Sequence, residues 1–290
     1  MHRLRHGRET TTVGWRGNRI RQNRRPAGVC FSQDRSILAG SVGSAHAEKI
    51  AYVIQTARKL GVPLIGLNDS AGARIQEGLS VTSAIGKIFF ENSIASGCIP
   101  QISAIMGPCI GVGSYSPALT DFILMVQNSS QMFITGPAVI KEVLGETVTM
   151  EELGGAKIHS EVSGVTDLVA KNDEECLAMI RRLLGFLPSS FESPPPHKPN
   201  PDDPNRPVDL LEKIVPEDPR RAYNILQVIK AIVDDGDFLE LERQICAQPG
   251  HRLWPAGRSP GRVRSQPADV SRRQSRRGCI GQGRSLYPFL

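Results

Sequence analysis

Two short apolar segments, residues 63–68 and 99–106, each run directly into a glycine-rich turn, and a segment with helical periodicity separates them. Buried strands that alternate with amphipathic helices are typical of α/β proteins with a parallel sheet. The alternation continues along the chain, with strands predicted at 122–126, 131–134 and 165–170 and helices at 44–60, 81–95, 137–144, 150–156 and 172–187. The sequence therefore predicts an α/β fold for this part of the chain.

A proline-rich segment divides the chain. Eight of the twenty residues in 188–207 are proline, which is typical of an extended linker. A folded pattern resumes after it, with a helix predicted at 221–233, and periodicity is lost after residue 244. We expect five segments: a basic N-terminal segment at 1–28, a folded domain at 29–187, the linker at 188–207, the start of a second domain at 208–244, and a basic, disordered tail at 245–290.

The net charge of +6 conceals an uneven distribution. The two end segments together carry seventeen Arg, no Lys and two acidic residues, whereas 29–244 carries eighteen basic and twenty-seven acidic residues. Basic ends are a common signal for nucleic-acid binding. These ends lack the aromatic interleaving and the motifs of nucleic-acid binders, so we expect no nucleic-acid partner. A basic-tailed module that binds anions or nucleic acid is the alternative.

The sequence disfavours a membrane span, a secretory signal, a metal site and a cysteine nucleophile. No apolar run reaches the length of a membrane span, and the first residues lack the apolar core of a secretory signal. We therefore expect a cytoplasmic protein, or a mitochondrial matrix protein in a eukaryote. The six cysteines form no C-x-x-C pair, and His46 and His159 lack metal-ligand spacing, so we expect reduced thiols and no metal. Cys109 is interpreted as a buried filler rather than a nucleophile.

The two glycine-rich turns, 71–74 and 107–113, are candidates for chemistry. Small residues let a backbone approach a ligand closely, and the second turn leads into a predicted helix near Ser114. Two backbone N–H groups aimed at one point can stabilise a thioester oxygen as it becomes an enolate. Taken alone, each turn is better explained as an ordinary tight turn than as a catalytic one.

The motifs around these turns resemble propionyl-CoA carboxylase β chains, the carboxyltransferase subunits of biotin-dependent acyl-CoA carboxylases. The matching segments follow the order of the family across residues 29–244: NDSAGARIQEG at 68–78, IMGPC at 105–109, YSPALTDF at 115–122, MFITGP at 132–137, EELGGA at 151–156 and SGV at 163–165.

The resemblance implies a crotonase-like fold, a spiral of ββα units. It further implies that this chain holds the N-terminal, acyl-CoA-binding domain and only the start of the C-terminal, carboxybiotin-binding domain. The implied reaction transfers a carboxyl group from carboxybiotin to propionyl-CoA or a similar short acyl-CoA. The chain contains no Met-Lys-Met biotin attachment site, so biotin is expected on a partner, a biotin carboxylase or biotin carrier subunit. The family assembles as a homo-hexamer.

The resemblance also assigns individual residues. Backbone amides are the main catalytic groups of the family, and the acyl oxyanion hole corresponds here to Gly72, Ala73, Gly111 and Val112. Substrate binding corresponds to Arg74, Gly107, Gly113 and Tyr115, with Arg74 directed at a CoA phosphate.

Three departures from the family bear on activity. The family usually has glycine at Val112, where a β-branched residue is unfavourable if φ is positive and can crowd the thioester. Asp167 stands where relatives often carry His. The chain contains only the start of the carboxybiotin-binding domain. A one-base frameshift near codon 245 would restore a glycine- and valine-rich continuation similar to that of the family. Three interpretations stay open: an active carboxyltransferase, an inactive remnant that binds CoA or assembles, and the basic-tailed binding module. The sequence does not separate a carboxylase from a decarboxylase relative, since those share the acyl-CoA half.

Overall fold

The computed structural model describes residues 2–6, 9–13, 28–197, 208–218, 221, 223–242, 251–254 and 261–264. At the N-terminal side, β1 (His2–His6) and β2 (Glu9–Val13) pair antiparallel. The rest of the expected N-terminal segment lies outside the described residues.

A parallel sheet forms the centre of the molecule. Its strands are β3 (Val29–Ser32), β4 (Leu64–Ser70), β5 (Gln101–Ile110), β6 (Phe122–Val126), β7 (Gln131–Phe133) and β8 (Leu168–Ala170). The order across the sheet is β3-β4-β5-β6-β8, and β7 pairs with the end of β5. Every pairing in this sheet is parallel, as the alternation of strands and helices predicts.

Helices connect these strands. They are α1 (Ser44–Leu60), α2 (Leu79–Ala95), α3 (Val112–Ala118), α4 (Pro137–Leu144), α5 (Met150–Gly154), α6 (Ala156–Glu161) and α7 (Asp173–Leu184), followed by α8 (Leu210–Ile214) and α9 (Ile225–Ile232). Their ends follow local rules. Gly61 ends α1 in the left-handed conformation, and Thr149 and Glu152 form a capping box at the start of α5. Among the described helices, none combines the length and apolar composition that crossing a bilayer requires.

The sheet is covered on both faces. On β6, Phe122, Leu124 and Val126 join a cluster with α7, whereas Ile123 and Met125 point into a second cluster on the opposite side. The alternation follows from the two-residue period of a strand. A third cluster forms where α1 and α2 pack against β3 and the start of β4. Burial on both faces explains why β6 is apolar at every position.

Strand β5 pairs with two different strands along its length. Residues 102–105 pair with β6, and residues 108–110 pair with β7. The pairing of β4 with β5 also shifts register between Asn68 and Ser70. The carboxyl ends of β4 and β5 therefore meet beside β7, and the two glycine-rich turns begin there.

Most predicted elements are confirmed, with ends that differ by up to four residues, as at α9 (predicted 221–233, observed Ile225–Ile232). The second turn is shorter than predicted, because β5 continues to Ile110 to pair with β7, and α3 begins at Val112 rather than near Ser114. The predicted helix 150–156 is two helices, since Gly155 adopts an extended conformation between them. The strand predicted at 165–170 is limited to 168–170.

The segments after α7 contact the central domain. Phe191 donates its N–H to the Cys98 carbonyl (3.0 Å), so the first part of the predicted linker lies against the domain. Leu239 and Leu241 are buried in the cluster that contains α7. Leu239 belongs to β9 (Leu239–Glu240), which forms a small antiparallel sheet with β10 (His251–Trp254) and β11 (Gly261–Arg264). The remaining residues of the predicted linker and tail lie outside the described residues, and the predicted domain limits stay predictions.

Candidate active site

The two glycine-rich turns lie in direct contact. A Cβ built on Gly72 would stand 2.5 Å from the Ile110 carbonyl oxygen and 3.9 Å from the Val112 nitrogen. Gly72 also has a φ of 91°, which side chains rarely tolerate. Glycine is therefore required at this position for two reasons, its conformation and the close approach of the second turn.

The first turn is fixed on one side by a short parallel bridge. Val42 donates its N–H to the Gly72 carbonyl (2.7 Å), and Arg74 donates its N–H to the Val42 carbonyl (2.9 Å). Within the described residues, the N–H of Ala73 has no hydrogen-bond acceptor. Because the peptide group is planar and trans, this N–H points away from the side on which Val42 binds the Gly72 carbonyl.

The second turn has a similar construction. Gly111, with φ 56° and ψ −117°, precedes α3 and donates its N–H to the Phe133 carbonyl (3.0 Å). The Gly111 carbonyl accepts hydrogen bonds from Ser114 N (2.9 Å) and Tyr115 N (3.2 Å). Val112 is the first helical residue, and in the described part of the chain its N–H has no acceptor, as expected at a helix start.

The four amides predicted for the oxyanion hole therefore divide into two pairs. The N–H of Gly72 is bonded to Ser70 Oγ (3.1 Å) and that of Gly111 to Phe133, so both are already engaged. Ala73 and Val112 are half-buried and carry the N–H groups left for a ligand. Each glycine provides the turn, and the residue after it presents the amide.

Arg74, predicted to contact a CoA phosphate, is engaged within the chain. Its guanidinium donates to Ser41 Oγ (3.1 Å), to the Ser41 carbonyl (3.0 Å) and to Glu77 Oε1 (3.2 Å). Glu77 in turn accepts the N–H of Ser44 at the start of α1 (2.7 Å), which lowers the pKa of the Glu77 carboxyl. The observed role of Arg74 is to connect the first turn to α1.

The other predicted substrate-binding residues lie around the turns. A Cβ on Gly107 would be 2.5 Å from the Asp69 carboxylate, and one on Gly113 would be 3.3 Å from Ser70. Both glycines thus allow β5 and α3 to approach the end of β4. Tyr115 is 47% exposed and contacts Phe89 edge-on, with ring centroids 5.9 Å apart.

Cys109 and the two histidines have structural surroundings. Cys109 is fully buried, and burial raises the pKa of its thiol to about 12, which keeps it protonated. His46 Nδ1 lies 3.3 Å from the Ser41 carbonyl. His159 Nε2 lies 2.6 Å from the Met132 carbonyl, beside β7. No group of three or more His, Cys, Asp or Glu side chains within the described ranges is placed to hold a metal ion.

Two buried serines near the turns were not predicted. Ser70 Oγ donates to the Gly40 carbonyl (2.8 Å), and Ser114 Oγ lies within hydrogen-bonding distance of the carbonyls of Cys109 (2.6 Å) and Phe133 (2.9 Å). Both lie inside or beside the family motifs, at 68–78 and 115–122. Ser70 bonds Gly40, which is 30 residues away, and Ser114 bonds Phe133, which is 19 residues away, and residue patterns alone did not identify these contacts.

Comparison with known proteins decides the family. The family model of the carboxyl transferase domain matches residues 27–248. The chain belongs to this family. It is 53% identical over 212 residues to methylmalonyl-CoA decarboxylase subunit alpha of Veillonella parvula, covering 73% of this chain and 42% of that protein. It is 48% identical over 211 residues to the mitochondrial propionyl-CoA carboxylase beta chain of Homo sapiens, covering 73% of this chain and 39% of that protein.

The fold agrees with solved members of the family. A transcarboxylase 12S crystal structure, described as a hexamer assembly with hydrolysed methylmalonyl-coenzyme A bound, superposes with a TM-score of 0.81 at 36% identity. The superposition covers 90% of this carboxyl transferase chain and 50% of that chain. The predicted crotonase-like α/β fold is confirmed. The chain spans less than half the length of the curated relatives it matches.

Proposed function

We propose that this chain forms the acyl-CoA site of a biotin-dependent carboxyltransferase, with propionyl-CoA or a similar short acyl-CoA as substrate. The observation that carries the proposal is the pair of unengaged N–H groups, Ala73 and Val112, on two turns in contact. Family membership supports the choice of an acyl-CoA as the ligand.

Carboxylation of propionyl-CoA and the reverse loss of the carboxyl group both require stabilisation of the same enolate anion. Removing the α-proton of propionyl-CoA leaves an electron pair that delocalises onto the thioester oxygen as an enolate. Loss of the carboxyl group of methylmalonyl-CoA as CO₂ leaves the same electron pair and the same enolate. N–H donors fixed before the reaction stabilise this charge without reorganisation, and removing one such donor typically costs about 10²–10³-fold in rate. Ala73 and Val112 are the donors in this proposal.

The remaining predicted site residues support the donors in different ways. Gly72 and Gly111 turn the backbone, and Gly107 and Gly113 let the neighbouring segments come close. Arg74 holds the first turn on α1, and a CoA phosphate near it would share its guanidinium with Glu77. Tyr115 presents an exposed ring in the middle of α3, where the acyl-CoA can pack.

Biotin belongs to the family reaction as the carrier of the carboxyl group. The unengaged amides of Ala73 and Val112 on the two glycine-rich turns fit the acyl thioester, and no described residue is assigned to biotin. We infer that biotin reaches the site on a partner carrier subunit and that the chain assembles as a homo-oligomer. The cytoplasm, or the mitochondrial matrix in a eukaryote, is the proposed location, since the relatives include bacterial and mitochondrial proteins.

A decarboxylase is the second candidate. Relatives named methylmalonyl-CoA decarboxylase subunit alpha match at 53% and 50% identity, as closely as those named propionyl-CoA carboxylase. The acyl-CoA site serves both directions, so the two candidates share Ala73 and Val112. In both candidates the carboxyl group of methylmalonyl-CoA can pass to a biotin carrier without ATP. Release of CO₂ faster than the carboxylated carrier loses it in the absence of the chain would favour the decarboxylase.

Calorimetry with two CoA thioethers tests the proposed site. One carries an alkyl nitronate, which imitates the enolate, and the other carries a plain propyl group. We expect the nitronate to bind at least about 100-fold more tightly, because transition-state analogues bind that much better than ground-state ligands. Equal affinities for the two thioethers would contradict the proposed oxyanion site and favour a remnant that binds only the CoA portion.

A further inference from the structure

Ser70 lies at the junction of the two turns. It is the last residue of β4, its exposed fraction is 0%, and its hydroxyl makes two backbone hydrogen bonds. Oγ donates to the Gly40 carbonyl (2.8 Å) and accepts the N–H of Gly72 (3.1 Å). One buried side chain therefore connects the first turn to the segment before α1.

These bonds bear on the orientation of the Ala73 amide. Gly72 is held at both ends, since Ser70 binds its N–H and Val42 binds its carbonyl. The Gly72 carbonyl and the Ala73 N–H belong to one planar peptide group. Fixing residue 72 thus fixes the direction of the Ala73 N–H, although Ser70 itself does not reach the ligand side of the turn.

Ser70 also contacts the second turn. A Cβ built on Gly113 would lie 3.3 Å from both Ser70 Cβ and the Ser70 carbonyl oxygen, and 3.5 Å from Oγ. Ser70 is paired with Cys109 in the sheet, immediately after the register shift in β4. The start of α3, which presents the Val112 amide, therefore rests on the same residue.

We propose that Ser70 is a positioning residue for the oxyanion hole, which sets the Ala73 amide relative to the Val112 amide. This proposal rests on the proposed function, because it assigns Ser70 a role only in binding the developing enolate. Removing the hydroxyl frees Gly72 to rotate and leaves buried backbone groups without their partner. Because Ser70 is fully buried, the expected loss is in binding the anion rather than in contact with the CoA portion.

Ser130 provides a matched control. It is also 0% exposed, and its Oγ donates to the Val126 carbonyl (2.7 Å) and accepts the Val126 N–H (2.9 Å). Ser130→Ala therefore removes the same two kinds of hydrogen bond from an equally buried position, and the Ser130 hydroxyl bonds Val126 rather than either turn. The two alanine variants should lower the unfolding midpoint by comparable amounts.

The measurement is the ratio of affinities for the nitronate and propyl thioethers of CoA, determined for the full chain. Ser70→Ala should reduce this ratio about tenfold, since a displaced donor stabilises the anion less, whereas Ser130→Ala should leave it unchanged. Ser70→Cys keeps a γ atom with weaker hydrogen bonding, so its affinity ratio should lie between those of Ser70→Ala and the wild-type chain. This variant replaces Ser70→Ala in the test if Ser70→Ala does not fold.

The outcomes separate the two proposals. A wild-type preference for the nitronate that survives in Ser70→Ala overturns the positioning role and leaves the proposed function standing. An equal loss in Ser70→Ala and Ser130→Ala also overturns it, since the effect would then follow stability. A wild-type chain without preference overturns the proposed function, and the role of Ser70 with it.

Discussion

At Gly111 the backbone adopts a conformation, φ 56° and ψ −117°, that a residue with a side chain rarely reaches. The next residue, Val112, has no such requirement, because it starts α3. Its side chain packs against the cluster formed by α1 and α2. The condition under which valine would be unfavourable, a positive φ at 112, is therefore not met.

Replacing Val112 by glycine tests this arrangement. We expect Val112→Gly to lower the free energy of unfolding by about 1 kcal/mol, from lost apolar contact and added backbone freedom. Affinity for propionyl-CoA should stay unchanged, as the side chain points at the core. Denaturant unfolding and calorimetry measure the two quantities. Tighter binding in the variant would mean that the valine does crowd the thioester.

His159 supports β7 through one ring nitrogen. A carbonyl only accepts, so Nε2 carries the proton that binds the Met132 carbonyl, and in neutral His159 Nδ1 accepts from Ser163 Oγ (2.8 Å). Burial lowers the pKa of His159 below its ordinary value. The unfolded chain therefore binds a proton at higher pH than the folded chain does.

This shift predicts a pH dependence of stability. The stabilisation linked to neutral His159 is present above the unfolded pKa of about 6.5 and is lost as pH falls through and below it. We expect the wild-type chain to lose more unfolding free energy than His159→Gln between pH 8 and pH 5.5. Parallel denaturant titrations at both pH values measure the difference. Identical losses of unfolding free energy in the two chains would show that His159 does not contribute to the pH dependence.

At the scale of elements, two aspartates fix the starts of neighbouring strands. Asp121 Oδ2 accepts the N–H of Gln101 at the start of β5 (2.8 Å), and Asp167 Oδ2 accepts the N–H of Ile123 in β6 (2.6 Å). Each aspartate precedes the next strand of the sheet and holds the strand beside it. This gives Asp167, an unexplained departure from the family pattern, a structural reason.

Asp167→Ala should destabilise the chain. A hydrogen bond to a charged group contributes about 1.5–3 kcal/mol, so we expect a loss of about 2 kcal/mol of unfolding free energy. Asp167→Asn, which keeps an acceptor oxygen, is the control and should lose less. A loss that is the same for both variants would attribute the effect to the charge rather than to the bond with Ile123.

At the scale of the whole molecule, the sheet places the site at its carboxyl edge. The faces of the sheet are closed by α1 and α2 on one side and by α7 on the other, so ligands can approach at the strand ends. Leu239 and Leu241 add to the cluster with α7, and Arg182 binds Asp237 (3.0 Å) on the surface above it. The segment after the proline-rich region thus helps to close the domain that carries the site.

Elements with local causes were predictable from residue patterns alone. Helical periodicity with a terminal glycine fixed α1, and Pro137 at a first helical position fixed the start of α4. The uninterrupted apolar run at 122–126 identified β6 as a strand buried on both faces. The sequence motifs also placed the two turns and the family.

Which backbone atoms of those turns are available to a ligand depends on contacts made in the folded chain. The extension of β5 to Ile110 depends on pairing with β7, more than twenty residues further along the chain. The engagement of the Gly111 amide by Phe133, of Arg74 by Ser41 and of Gly72 by Ser70 depends on contacts set by folding. A hydrogen bond satisfies a backbone group wherever its partner comes from in the sequence. Residue patterns therefore located the two turns of the proposed oxyanion hole, and the packing of β4, β5 and β7 leaves the amides of Ala73 and Val112 unengaged there.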